Sequence, residues 1–100
     1  MKIYVSVDME GVPGTLNWGQ EKHDRNYVKQ CVTHLMEWVI LGVQSSKVNQ
    51  QIEEILVADS HGGGDSIPYE FTAMDRRIRL VSGSPRPCYM MPVLDDSYDV

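Results

Sequence analysis

Two short runs hold the side chains best suited to chemistry: Asp8-Met9-Glu10 and Asp59-Ser60-His61. In the first, two carboxylates one residue apart can turn toward a single point. Crowding two negative charges costs free energy unless a cation offsets it. The second run adds an imidazole. Two carboxylates and one imidazole are a donor set for zinc that leaves a position open for water, and zinc acidifies that water and polarises a carbonyl. Asp8, Glu10 and His61 are therefore the expected metal ligands. The plainer alternative is that acids after a strand serve as turn formers or caps, and that a histidine in a glycine-rich loop is structural. His23 and His34 are read as structural.

Neighbouring motifs are weaker. Ser60 and His61 are adjacent, which rarely brings a hydroxyl and an imidazole into hydrogen-bond geometry, and no third member of a triad is visible. Gly62-Gly63-Gly64 lacks the spacing of either common phosphate-binding glycine motif. A magnesium-dependent phosphohydrolase is the rival enzyme class, with Asp8 as nucleophile after the first strand. His61 counts against it, because imidazole suits zinc better than magnesium. A non-enzymatic alternative is a fragment that binds metal or assembles without catalysis.

Both runs follow apolar stretches. Ile3–Val7 and Ile55–Ala58 read as buried parallel strands, each ending in a glycine-rich loop. Between them a helix opens near Asp24 or Asn26. Its apolar face is Val28, Cys31, Val32, Leu35, Val39 and Val43. Gly42 and the polar run from Gln44 to Gln51 mark its end or a weakly held extension, and Thr15 to His23 reads as polar and irregular. Strand, helix, strand is the βαβ unit. Tyr69 to Asp75 reads as a short helix or loop, Ile78–Val81 as a third strand, and Asp96 to Val100 as the approach to a fourth. The expected fold class is α/β, a three-layer sandwich with a mainly parallel sheet, cut short. In such sheets ligands bind beyond the carboxyl ends of the strands, where both runs lie.

Composition narrows the partners. The chain has 100 residues, enough for one small domain. Its net charge is −5, and its 9 basic residues are scattered, which argues against nucleic acid. No run approaches the roughly 20 apolar residues that span a bilayer, so no membrane partner is expected. Met1-Lys2 leads straight into the first strand without a secretory pattern. Cys31 and Cys88 are far apart and read as reduced thiols of a cytoplasmic protein, although sequence leaves a single disulfide open.

Ser6-Val7-Asp8-Met9-Glu10-Gly11, then Ile55-Leu56-Val57-Ala58-Asp59-Ser60-His61-Gly62, then Leu80-Val81-Ser82-Gly83 through Arg86-Pro87 and Met90-Met91, resemble one family in order and approximate spacing. It is the bacterial D-aminopeptidase family of zinc metallopeptidases, of the dipeptide transport operon type. The resemblance covers essentially the whole chain. It implies an aminopeptidase with two zinc ions, acting on short peptides with N-terminal D-amino acids and assembled as a homo-oligomer. By position, Asp8 matches the bridging carboxylate, Glu10 a ligand of one zinc, and His61 the imidazole on that zinc. Asp59 matches a position that orders the loop or supports a ligand. The run from Gln44 to Gln51 is longer than the family's. The family's second histidine ligand, last carboxylate ligand and catalytic histidine fall beyond Val100. Residues 1–100 are thus expected to be an incomplete N-terminal metal-binding domain, with no catalytic base of its own.

Overall fold

A computed structural model describes all 100 residues. Strand β1 spans Lys2–Val7, β2 Glu54–Asp59 and β3 Ile78–Val81. The three form one parallel sheet in the order β1-β2-β3. The first two strands each exceed their sequence-derived bounds, and β3 matches its own. Most of their residues are β-branched or apolar, and the central strand β2 is buried from Ile55 to Asp59. Beyond the last β1–β2 pair, Val7 with Asp59, the ladder runs one bond further, from the Ser60 N–H to the Val7 carbonyl at 2.8 Å.

Helix α1 spans Gly19–His23, within the stretch expected to be irregular, and α2 spans Arg25–Ser45. Asp24 occupies the cap position of α2 as expected, but its side chain makes no capping bond. The helix runs through Gly42, which is exposed. Its most buried stripe is Val28, Val32, Met36 and Ile40, at four-residue spacing. The expected face members Cys31, Leu35, Val39 and Val43 flank that stripe, half-buried against the core. Met36 and Ile40, outside the expected face, continue Val28 and Val32 at four-residue spacing and lie deeper than Leu35, Val39 and Val43.

The core joins this stripe to Val7, Ile55, Val57 and Ile78 on one face of the sheet. On the other face lies an irregular strap. Tyr4 Oη donates to the Pro92 carbonyl at 3.0 Å, and the hydroxyls of Ser6 and Ser60 both lie within hydrogen-bond reach of the Met90 carbonyl. Pro92 is fully buried beneath it. A 3-10 turn covers Tyr69–Met74. Residues 96–100 form no assigned strand, yet they dock on the free edge of β1. The Asp99 N–H donates to the Lys2 carbonyl at 2.9 Å, and the Tyr4 N–H to the Val100 carbonyl at 2.7 Å. Cys31 and Cys88 are both free thiols.

Candidate metal centre

Parallel pairing brings the ends of β1 and β2 side by side. Asp8 follows β1 in extended conformation (φ −122°, ψ 153°) and caps a 3-10 turn over Met9–Gly11. Its Oδ1 accepts from the Met9 N–H at 2.7 Å. The turn lifts Glu10 back over the strand end. His61 comes from the loop after β2. Its Nδ1 lies 2.8 Å from Asp8 Oδ1 and 3.2 Å from Glu10 Oε2. Donor atoms of these residues all lie within 4.8 Å of one another. The structure therefore brings Asp8, Glu10 and His61 to one place.

A fourth group completes the cluster. Glu21, on α1, sets Oε1 3.1 Å from His61 Nε2. Sequence reasoning missed it, because Thr15 to His23 shows no periodicity. One signal was present: an acid early in a short turn with Lys22 and His23 at its end, the charge order a helix dipole favours. Gln20 anchors this helix, its Oε1 accepting from the Asn17 N–H at 3.1 Å and its Nε2 donating to the Gly14 carbonyl at 3.0 Å.

The loop carrying His61 is tied from below. Asp59 is fully buried, and its Oδ2 accepts from the N–H groups of Ser66 at 2.6 Å and Ile67 at 2.8 Å. Burial pushes its carboxyl pKa up, and those two N–H bonds only partly oppose the shift. Gly64 turns the loop at φ +67°. A Cβ there would run into the Arg86 guanidinium and meet Gly83 N at 2.9 Å and the Asp59 carbonyl at 3.1 Å. Ser60 points away from the cluster, bonded through its hydroxyl to the strap and to Ser6. His34 sits on the exposed side of α2, with Nε2 4.0 Å from Glu37, and His23 is exposed.

The charges do not balance. Asp8, Glu10 and Glu21 surround one imidazole, and no lysine or arginine pairs with any of them. Arg25 and Lys29, which line the same small cleft as Glu21 and His61, pair with Asp65 instead. Burial lowers the His61 pKa, but bonds to Asp8 and Glu21 and the field of Glu10 outweigh it and hold the pKa above its ordinary value. Burial likewise raises Asp8, but its bonds with Glu10, His61 and the Met9 N–H bring the net shift below the usual carboxylate range. A proton on Nδ1 thus stands where the site favours positive charge, between two carboxylates. Mixed carboxylate and imidazole donors converging there fit zinc. A separate cleft of about 780 Å³ runs along β3, lined by Gly64, Ile67, Tyr69, Leu80 and Gly83, and includes none of the cluster.

Known proteins share this chain's sequence and fold. The family model described as D-aminopeptidase matches residues 1–100. A D-aminopeptidase of Bacillus subtilis (strain 168) is 29% identical over 103 residues, covering 98% of this chain and 35% of its own length. The solved structure of the Zn-dependent D-aminopeptidase DppA from Bacillus subtilis, described as a self-compartmentalizing protease, superposes with a TM-score of 0.78 at 31% identity. That match covers 98% of this chain and 35% of the other. The chain thus spans about a third of the length of the relatives it matches. With the metal-type cluster on the strand ends of a shared fold and the whole length matched, the chain belongs to the D-aminopeptidase family.

Proposed function

We propose that residues 1–100 are the N-terminal metal-binding part of a zinc-dependent aminopeptidase that hydrolyses short peptides, with a preference for N-terminal D-amino acids. The observation that carries this is His61 Nδ1 at 2.8 and 3.2 Å from the carboxylates of Asp8 and Glu10. Family membership and the zinc dependence of the similar solved structure support it. Asp8, Glu10 and His61 would hold zinc, with the family's bridging role falling to Asp8. Zinc held there would supply a Lewis acid for a peptide carbonyl and would lower the pKa of water toward neutrality.

This chain's own residues prepare that point. Asp8 and Glu10 concentrate negative charge at the mouth of two parallel strands. Asp59 and Gly64 fold the His61 loop tightly, and exposed Gly62 and Gly63 leave space for a peptide to approach. The complete site, with two ions and its proton-transferring group, would draw on residues outside this chain. A ring-like homo-oligomer and a cytoplasmic location belong to the same proposal. No helix is long and apolar enough to cross a membrane. The imidazole between the carboxylates weighs against magnesium phosphohydrolysis, since nitrogen donors favour zinc.

The full-length protein, purified and loaded with zinc, should release the first residue from dipeptides that begin with D-alanine, and more slowly from their L counterparts. Chelation should abolish release. Zinc-free activity, or cleavage of phosphate esters in place of peptides, would overturn the proposal.

A further inference from the structure

The geometry points to Glu21 as a positioning residue: with its carboxylate 3.1 Å from Nε2, it would hold the remaining N–H of His61 once an ion displaces the proton on Nδ1, and so present the Nδ1 lone pair to the space between Asp8 and Glu10. This inference rests on the metal-centre proposal above. The two nitrogens of an imidazole point in diverging directions. Asp8 and Glu10 lie on the Nδ1 side at 2.8 and 3.2 Å, and Glu21 lies on the Nε2 side at 3.1 Å. Glu21 therefore does not share an ion with the other two acids through this ring. An ion on the Nε2 side would meet one of these carboxylates, whereas an ion on the Nδ1 side meets two.

A neutral imidazole carries one N–H, and the ligating nitrogen must be the other. A carboxylate behind a ligating histidine fixes that choice and the plane of the ring. Glu21 is free to do so. Neither Arg25 nor Lys29 pairs with it, both being engaged by Asp65. Its backbone is held in place, because Gln20 ties α1 to Gly14 and Asn17 and the Asp24 N–H closes the helix on the Gln20 carbonyl at 2.7 Å. The segment before α2 thereby acquires a purpose that its irregular sequence concealed.

Zinc affinity of the full-length protein, measured by competition with a chromogenic chelator near neutral pH, tests this. Glu21→Ala should weaken zinc binding about 10–100-fold. Glu21→Gln, whose amide oxygen still accepts from Nε2–H, should recover most of that loss. Nitrogen-15 NMR of the zinc-loaded wild type should show a protonated Nε2 and a metal-bound Nδ1 on His61, a readout that does not depend on any variant folding. Glu21→Ala binding zinc as tightly as wild type, Glu21→Gln as weak as Glu21→Ala, or a metal-bound Nε2 would each overturn the inference. His61→Ala serves as the control. If it keeps full zinc affinity, the metal-centre proposal itself falls. If it loses zinc while the Glu21 results go wrong, only the role of Glu21 falls.

Discussion

His61 meets a carboxylate at either nitrogen, and each acid makes a different demand on it. Asp8 approaches closest on the Nδ1 side and also caps the Met9 turn, so a change there removes charge and loosens a backbone bond together. Asp8→Asn should leave the purified protein with little zinc by atomic absorption, whereas Glu10→Gln should lose only part. Unchanged zinc in both variants would remove these residues from the metal site. Gly64 makes a structural demand of the same kind. Gly64→Ala places a Cβ at positive φ against Arg86, the Gly83 backbone and the Asp59 carbonyl. It should cost about 1–3 kcal/mol in a denaturant titration. Asp8, Glu10 and His61 were legible from sequence because each lies just past a strongly apolar strand. Glu21 was not, because its position depends on how Gln20 folds an aperiodic segment.

At the scale of elements, the strands were readable from their β-branched runs and the long helix from its valines. Its end was not. Glycine costs about 1 kcal/mol in a helix interior, and packing of the flanking Val39 and Val43 overrides that. Met36→Ala or Ile40→Ala, in the fully buried stripe, should destabilise the fold by about 2–5 kcal/mol, and truncation of exposed Trp38 by far less. A second device joins α2 to the start of β3. Asp75 accepts from the Arg77 N–H at 3.0 Å, its Nε at 2.9 Å and its Nη2 at 2.7 Å, and from Gln44 Nε2 at 3.1 Å. Arg77 also reaches the Asn49 carbonyl at 2.8 Å. The Arg77 guanidinium holds the Asp75 carboxyl well below the usual carboxylate range, against an upward push from burial. A carboxyl depressed in the folded state adds stability that is present above its unfolded pKa, about 3.9, and is lost as pH falls through the folded value. Chemical denaturation should therefore show the largest gap between wild type and Asp75→Asn above about pH 5, narrowing steadily in stronger acid. A gap that stays constant down to strong acid would contradict this assignment.

Across the whole molecule, the radius of gyration of 13.6 Å is near the value of about 13 Å typical of 100 residues. The fold is thus compact even though one sheet face carries a strap in place of a helix. That strap exposes Tyr89, Met91 and Val93, and Leu16 and Trp18 stand out before α1. Contiguous apolar surface marks contact sites, and the proposed homo-oligomer of the full-length protein would cover these side chains. Light scattering on the full-length protein should therefore report a homo-oligomer, and a monomer at all concentrations would count against assembly. None of this patchwork was readable from periodicity, because the strap has none and its course is set by hydroxyl bonds from Tyr4, Ser6 and Ser60. The docking of residues 99–100 against β1 has a consequence in time as well as in space. It makes β1 an inner strand, paired with β2 on one side and with the Asp99 and Val100 backbone on the other. In deuterated solvent the Tyr4 amide should keep its proton far longer than the amides along the outer edge of β3, so that the strand leading to Asp8 opens more slowly than β3 does.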